Sequence, residues 1–267
     1  MYSEDLFKGN KALVTGGRSG IGYGIAKRLL QLGADVMICS RNEEKLQKAA
    51  EELSAYGKCL SKSCDIRKTD EIEALAEYIQ SEFGSLDILV NNAGGQFPSL
   101  AENISENGWN AVINNNLNGT FYVSKQMAKS FFIPNNRGSI VNITANIIRG
   151  IPGMVHTASA RAGVETMCKT LAQEWARFNI RVNCVAPGII DSSGLGEYNP
   201  MVQALLEKAK EEILMHRLGT VDDVVNAVCF LASPLSSYTS GITLYVDGME
   251  HLHGNRMILV DLFKNLS

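Results

Sequence analysis

The sequence predicts an α/β fold: a doubly wound parallel sheet of about seven strands with helices on both faces. Short apolar runs alternate with longer amphipathic stretches along the 267 residues. The apolar runs are continuous rather than alternating, which is typical of strands covered on both faces. A glycine-rich turn joins the first apolar run to the first amphipathic stretch, as in strand–turn–helix units.

The strands are predicted from apolar runs bounded by turn residues or helical patterns. A seventh strand, around Cys59 to Cys64, is weaker because polar residues interrupt it. Regular alternation of strand and helix implies right-handed crossovers and hence parallel pairing. The six stronger strands are predicted at 11–16, 34–40, 86–91, 139–144, 180–186 and 242–247.

Helices are predicted where apolar residues recur at helical spacing. An additional helical stretch at 199–219 follows a glycine-rich segment, which predicts a substrate lid around 188–219; the alternative is a helix that only covers the sheet. The apolar segment within 251–267 has no assigned place, and could pack on a neighbour or a partner subunit. No linker or repeat divides the chain, so residues 1–267 are predicted to form one domain. The repeating positions are Ile21, Ile25, Leu29 and Leu32; Ile72, Leu75 and Ile79; and Leu171, Trp175 and Phe178.

Composition excludes several classes of function. The net charge is -3 and the pI is near 5.9, so no basic field favours nucleic acid or an anionic membrane. No apolar run approaches the length of a membrane span. The six cysteines form no CxxC pair, which predicts a reducing compartment without disulfides or a metal site. The N-terminal segment lacks a signal-peptide core, and we therefore expect a cytoplasmic protein.

The segment LVTGGRSGIG at 13–22 follows the first predicted strand and opens the first helix. Glycines at these places let the backbone turn tightly and approach a pyrophosphate, which then lies at the positive end of the helix. The strand–turn–helix context makes this a prediction of dinucleotide binding. The expected cofactor-binding residues of this turn are Gly16, Arg18, Ser19, Gly20, Ile21 and Gly22.

The end of the second strand predicts which dinucleotide binds. An NAD site places a carboxylate about 20 residues after the glycines, to bind the ribose hydroxyls. Here Ser40 and Arg41 occupy that position. Arg41, with Arg18 in the glycine turn, would attract a 2′-phosphate, so NADP(H) is the predicted cofactor; the alternative is that Arg41 is a solvated surface residue.

Several further segments carry a resemblance to a known family: TGGRSGIG, NNAGG at 91–95, NNNLNGTF at 114–121, IVNIT at 140–144 and VAPGII at 185–190. The chain resembles the short-chain dehydrogenase/reductase family from about residue 9 to 249. The resemblance implies a Rossmann-type sheet of about seven strands. It also implies a homodimer or homotetramer joined through two long helices, here roughly 106–130 and 157–178. It also implies that Asp65 and Ile66 border the adenine, that Asn91, Ala93 and Gly94 line the cofactor channel, and that Pro187, Gly188 and Ile190 face the nicotinamide.

The usual catalytic set of this family is Asn, Ser, Tyr and Lys. Asn116 matches the asparagine, and Thr144 replaces the serine by another hydroxyl. Thr157 stands at the tyrosine position and Arg161 at the lysine position. Threonine cannot act as an acid in place of a phenol, whose pKa is near 10. Arg161 offers donors to the nicotinamide ribose but will not release a proton, so alcohol–ketone interconversion is disfavoured.

The same segments look most like the enoyl-CoA and 2,4-dienoyl-CoA reductases of the peroxisomal type, which reduce an activated C=C bond. Dienoyl-CoA reductases carry a tyrosine shortly after the NIT strand, where this chain has Asn146 and Ile147. This favours NADPH-dependent reduction of an enoyl thioester, with 2-enoyl-CoA as the expected substrate. The alternatives are a carbonyl or alcohol dehydrogenase with an altered site, and a catalytically silent NADP(H)-binding protein.

The proton donor has several candidates. His156 precedes the vacated tyrosine position and has a suitable ordinary pKa, although one residue of offset rotates it on the helix. Tyr198 could reach in from the lid, and Asn118 is a second polar donor beside Asn116. The other histidines, His216, His251 and His253, have no partner pattern. Cations of the predicted lid could meet CoA phosphates or form a solvated face: Lys208, Lys210 and Arg217.

Overall fold

A seven-stranded parallel sheet forms the centre of the computed structural model, which describes residues 2–192 and 207–252. The strands are β1 (Lys11–Thr15), β2 (Asp35–Ser40), β3 (Cys59–Ser63), β4 (Ile88–Asn91), β5 (Gly138–Ile143), β6 (Ile180–Pro187), β7 (Ile190–Asp191), β8 (Gly219–Thr220) and β9 (Thr243–Val246). The sheet order is β3-β2-β1-β4-β5-β6-β9, and the short β7 and β8 pair with each other. The order reverses between β1 and β4, the switch point at which doubly wound sheets bind ligands. The predicted fold class is therefore confirmed.

Most of the strands are largely apolar because both faces of the sheet are covered, and the edge strand β3, with the sequence CLSKS, is the exception. In β1, Val14 belongs to one core cluster and Leu13 to the other. Their partners across the β1–β2 register, Ile38 and Met37, divide in the same way. Successive side chains of a strand point to opposite faces, so the continuous apolar runs build two separate cores.

Helices cover both faces. They are α1 (Gly20–Gln31), α2 (Glu43–Leu53), α3 (Thr69–Phe83), α4 (Glu106–Ile113), α5 (Gly119–Met127), α6 (Val155–Trp175) and α7 (Val221–Ala232). Residues 207–212 are also helical. Short 3₁₀ turns occur at Ser54–Tyr56, Ala101–Asn103, Ala176–Phe178, Pro234–Ser236 and Glu250–Leu252. No helix within the described residues is long and apolar enough to cross a membrane.

The first of the two long helices predicted by the family resemblance is interrupted in its hydrogen bonding. It runs through α4 and α5, and each of these segments is followed by a π-helical turn, at Asn114–Asn118 and Ala128–Phe132. The second long helix is α6. π-turns inside α-helices often occur at functional sites, and the first of these turns contains Asn116.

Part of the predicted lid lies outside the described residues. These are 193–206, which include Tyr198, and 253–267, which include His253. The described part of the predicted lid is residues 188–192 and 207–219, of which 207–212 are helical. There Arg217 makes a double hydrogen bond with Asp223, which also forms a capping box with Thr220 at the start of α7.

Candidate functional site

Two adjoining cavities lie at the carboxyl end of the sheet. The first, of about 640 Å³, is bounded by the β1–α1 turn and the ends of β2 and β3. The second, of about 340 Å³, is bounded by the ends of β5 and β6 and by α6. Both are lined by Ile21, Asn92, Gly94 and Ser192, so they are two parts of one cleft. The first part is the cofactor end of the cleft, and the second part is the reaction end.

The glycine turn is packed too closely for side chains. A Cβ on Gly22 would overlap the carbonyl oxygen of Gly16, and one on Gly16 would lie 2.9 Å from Asn92 Nδ2. Asn92 Nδ2 donates to the carbonyls of Thr15 and Gly16 and so ties the turn to the end of β4. Ser19, the N-cap of α1, makes no side-chain capping bond, and the first turn of α1 has no acidic residue. The positive end of α1 therefore faces the cleft without a partner from its own cap, an arrangement that suits an anion.

Most residues predicted from the glycine turn line the cofactor end, including Arg18 at its rim. Gly20 does not line it, although its φ of +57° lies in the region that favours glycine. Arg41 also lines this end, and neither arginine forms an ion pair within the described residues. Ser40 Oγ is buried there without a hydrogen-bond partner in the described structure. An orphaned hydroxyl beside two free cations fits a ligand with an anionic, oxygen-rich group.

The adenine border predicted at Asp65 and Ile66 also lies on the cofactor end. Arg67 donates to both carboxylate oxygens of Asp65, at 2.8 Å from Nε to Oδ1 and 2.5 Å from Nη2 to Oδ2. The Arg67 hydrogen bond is the main cause that holds the pKa of Asp65 below its usual range. Asp65 is therefore an ionised acceptor at neutral pH.

One residue of the predicted channel lies elsewhere. Asn91 is buried, and its amide donates to Ser124 Oγ and Asn142 Oδ1 rather than lining either part of the cleft. Asn92 takes the lining position because side chains alternate at the end of β4. Ala93 and Gly94 line the cleft as predicted.

The reaction end contains Thr144 and Arg161, with Pro187, Gly188 and Ile190 along the opposite wall. Arg161 extends from α6, and its Nη1 donates to the carbonyl of Ile143 at 2.9 Å. A Cβ on Gly94 would lie only 2.5 Å from Arg161 Nη2, so the guanidinium is held against this backbone. Gly94 is therefore required by the close approach of Arg161.

Arg161 is a buried cation without a carboxylate partner in the described part of the chain. Burial lowers its pKa to about 10, so the guanidinium is still charged at neutral pH. An unpaired buried charge costs free energy unless another group compensates it. Its other donors suit ribose hydroxyls or a substrate oxygen.

Asn116 is close to the cleft but its polar atoms are already used. Its Nδ2 donates to the carbonyls of Gly95 and Val112, and its Oδ1 accepts from the Gly95 amide. It lines neither part of the cleft and is fully buried. In this arrangement Asn116 positions the 94–95 backbone instead of donating to a substrate.

His156, in the first turn of α6, does not reach the cleft as a proton donor would need to. Both His156 and Thr157 are buried and lie off the lining of the reaction end. His156 Nδ1 accepts from the Thr157 amide at 2.8 Å, and its ring packs edge-on against Phe97. A neutral imidazole in this pose carries its proton on Nε2, which is buried without a partner in the described structure. This burial removes His156 from direct contact with a ligand in the cleft.

The remaining described candidates either pair with residues outside the cleft lining or are exposed. Asn118 donates to Asn114, and His251 pairs with the Asp247 carboxylate at 2.8 Å. His216 is exposed. Lys210 pairs with Glu207, Arg217 with Asp223, and Lys208 is exposed.

Sequence reasoning missed Asn92, Asn115 and Ser192, all of which line the cleft. It also missed Glu165, whose Oε1 lies 3.5 Å from Thr144 Oγ1. Asn92 stands within a motif that pointed to its neighbour, and Glu165 lies one helical turn after Arg161. Spacing along α6 could have indicated Glu165, because residues four apart share a helix face.

The fold and the cleft define a dinucleotide-dependent oxidoreductase. The family model described as enoyl-(acyl carrier protein) reductase matches residues 16–248. The (3E)-enoyl-CoA-producing peroxisomal 2,4-dienoyl-CoA reductase of Danio rerio is 40% identical over 253 residues, 93% of this chain and 83% of that protein. The 3-oxoacyl-[acyl-carrier-protein] reductase of Chlamydia muridarum is 38% identical, over 91% of this chain and 98% of that protein.

A solved structure agrees with this assignment. The citronellol catabolism dehydrogenase of Pseudomonas aeruginosa superimposes with a TM-score of 0.84 at 37% identity, covering 94% of this chain and 98% of that one. The chain belongs to the short-chain dehydrogenase/reductase family, whose members bind a nicotinamide cofactor.

Proposed function

We propose that the protein reduces the conjugated C=C bond of an acyl thioester with NADPH, and that 2-enoyl-CoA is its simplest substrate. The observation that carries this is the composition of the reaction end: a fixed cation, Arg161, and a hydroxyl, Thr144, with no phenol among the described residues that line it. A carbonyl reduction requires an acid to protonate the new alkoxide. A conjugated thioester instead requires donors at the oxygen on which enolate charge develops.

The choice of NADPH rests on the cofactor end. Arg18 and Arg41 line it, and no carboxylate follows β2 before the N-cap of α2, Asn42. A 2′-phosphate would receive charge-assisted hydrogen bonds there, whereas a carboxylate at this position would repel it. Bound NADPH would supply the hydride for the β-carbon of the substrate, and a proton from water would go to the α-carbon of the resulting enolate.

Residues of the protein would bind the cofactor and donate to the substrate. Arg161 would hold the nicotinamide ribose, while Thr144 Oγ1 would donate to the thioester oxygen. Pro187, Gly188 and Ile190 would form the apolar wall beside the nicotinamide. This division explains how a site without the usual tyrosine and lysine can still bind cofactor and stabilise an enolate.

Two relatives bear on the substrate. The Danio rerio protein is named for a 2,4-dienoyl-CoA, and the Chlamydia muridarum protein for a 3-oxoacyl group on acyl carrier protein. Asn146 stands where the dienoyl type is expected to carry a tyrosine, and it donates to Asp247 instead. We therefore infer the enoyl type first, and place the dienoyl type and carbonyl reduction after it.

The test is NADPH oxidation with four substrates: crotonyl-CoA, a longer 2-enoyl-CoA, a 2,4-dienoyl-CoA and acetoacetyl-CoA. We expect turnover with the enoyl thioesters and a much smaller rate with acetoacetyl-CoA. Preference for acetoacetyl-CoA would support the carbonyl alternative. Tight NADPH binding with no turnover of any of the four would contradict both and identify a silent cofactor-binding protein.

The assembly and the compartment belong to the same proposal. We infer a homodimer or homotetramer joined through α4–α5 and α6, where Trp109 and Phe121 keep more than a third of their surface exposed in the single chain. Light scattering after size exclusion would measure the mass, and a monomer would contradict the inference.

The proposed cytoplasmic location is to be tested by imaging of the tagged protein. The alternative compartment is the peroxisome, because one relative is named as peroxisomal.

A further inference from the structure

Glu165 contacts the reaction end through Thr144 without lining it. We propose that Glu165 is a positioning residue, which in its protonated form donates to Thr144 Oγ1 and leaves the Thr144 hydroxyl hydrogen for the substrate oxygen. The proposal rests on the function proposed above. It names the residue that prepares the site's hydroxyl for an enolate.

The hydrogen-bonding capacity of Thr144 is limiting. A hydroxyl has one hydrogen and two lone pairs. Thr144 Oγ1 lies 3.2 Å from the carbonyl oxygen of Val185 and 3.5 Å from Glu165 Oε1. If Glu165 is ionised, both of these neighbours can only accept, and they compete with the substrate for the single hydrogen. If Glu165 carries a proton, it can donate to Oγ1, and one competitor is removed.

The charge of Glu165 has a second effect at the same place. Reduction of a conjugated thioester develops negative charge on the oxygen that Thr144 is to bind. A carboxylate in contact with Thr144 would oppose that charge, and the repulsion would be strong in a partly buried site. Neutral Glu165 therefore favours the transition state in two ways. It donates a hydrogen bond to Thr144 Oγ1, and it places no negative charge near the enolate oxygen.

The surroundings of Glu165 allow the neutral form. The helix α6 packs it against β5, β6 and β9, where it meets the threonine hydroxyls of Thr144 and Thr243. Burial raises the pKa of Glu165 and is the largest effect; Lys169 on the same helix and the two hydroxyls act in the opposite direction. The other titratable groups facing it are Cys184 on β6 and Tyr245 on β9.

The proposal predicts a characteristic pH dependence. Because the pKa of Glu165 is raised, its proton is present at low pH and lost as the pH rises through that pKa. Turnover should then fall as the pH rises through that pKa and level off at the lower rate of the ionised form. Glu165→Gln keeps an amide that can donate to Thr144 but cannot titrate, so this decline with rising pH should disappear.

The experiment compares the wild type, Glu165→Gln, Thr144→Val and a control, Glu174→Gln, from about pH 5 to about pH 9. Glu174 is an exposed glutamate of the same helix. One readout is kcat and kcat/KM with NADPH and a 2-enoyl-CoA. The second needs no turnover: the affinity of a saturated acyl-CoA for the NADP⁺ complex, measured by calorimetry. Thr144→Val should lower kcat about 10²-fold at every pH, and Glu174→Gln should follow the wild type.

Two results would overturn the role of Glu165. One is a decline of rate and of acyl-CoA affinity with rising pH that is the same in Glu165→Gln as in the wild type. The other is a collapse of kcat at every pH in Glu165→Gln, which would mean that Glu165 itself delivers the proton. Failure of the proposed function is seen separately, because it appears as no turnover of any unsaturated thioester by the wild type.

Discussion

The two ends of the cleft are built in different ways. The cofactor end comes largely from one continuous β1–α1–β2 segment, whose glycine turn is too closely packed for side chains. The reaction end brings together Thr144 after β5, Arg161 on α6 and Gly188 after β6. A local segment can bind a pyrophosphate by itself, whereas the reaction end exists only once three distant segments have packed.

The two ends also use charge differently. Arg18 and Arg41 at the cofactor end are exposed to solvent, where charges are screened and pairs are weak. Arg161 at the reaction end is buried and keeps its charge without a carboxylate among the described residues. On the function proposed above, the first arrangement would select between cofactors, and the second would orient a ligand. Loss of the phenol therefore alters the reaction end while the cofactor end stays intact.

The largest expected effect is at the glycine turn. Gly22→Ala introduces a Cβ that overlaps the Gly16 carbonyl, so the turn must open and NADP(H) affinity should fall at least about 10²-fold. Titration calorimetry measures the affinity. Gly84→Ala is the control, since its φ of +70° makes it strained while nothing lies within 4 Å of its Cβ. Equal losses of affinity in both variants would mean that general destabilisation, not the turn, is responsible.

Removing the buried cation should break the reaction end alone. Arg161→Met should lower kcat/KM about 10²-fold, because it removes donors from the site. The free energy of unfolding should change by less than about 1 kcal/mol, since the desolvated, unpaired charge is removed with them. Steady-state kinetics and urea unfolding measure the two quantities. Arg177→Met, at an exposed arginine, is the control; a loss of several kcal/mol in Arg161→Met alone would contradict the view that this charge is uncompensated.

Reversing a charge should change the cofactor preference without affecting the reaction end. Arg41→Glu should shift the ratio of kcat/KM for NADPH over NADH by about 10- to 100-fold towards NADH, the value of one charge-assisted hydrogen bond. Arg177→Glu makes the same change of charge away from the cleft and should leave the ratio unaltered. An unshifted ratio in Arg41→Glu would favour the interpretation of Arg41 as a solvated surface residue.

The smallest effect concerns Asp65. Its pKa is lowered in the folded state by Arg67, so its contribution to stability is present above the unfolded pKa, near 3.9, and is lost as the pH falls through the lower folded value. Asp65→Asn should cost about 0.5 to 1 kcal/mol at neutral pH, discounted because Arg67 is partly exposed. Urea unfolding at several pH values measures it, and the difference from the wild type should shrink in acid. A constant difference would exclude the ion pair as its source.

The residues of the cofactor end could be predicted from the sequence more completely than those of the reaction end. The glycine turn, the strand pattern and the place of Arg161 could be predicted because each depends on local spacing or on one register. The strand predicted at 86–91 is assigned to Ile88–Asn91, although Asp87 already bonds to both neighbouring strands: its amide donates to the Lys11 carbonyl, and its carbonyl accepts from the Ser139 amide. Asn91 was predicted to line the cleft, but Asn92 lines it instead, because a shift of one residue in a strand moves a side chain to the other face.

The sequence by itself determined the fold class, the dinucleotide turn and the replacement of the family's tyrosine and lysine by Thr157 and Arg161. These properties depend on hydrophobic period, on glycine geometry and on the identity of single residues. The tertiary structure decided that His156 and Thr157 are buried away from the cleft and that Asn116 binds the Gly95 backbone. It also decided that Glu165 meets Thr144. Burial and hydrogen-bond partners depend on which segments pack together, and no local pattern contains that information.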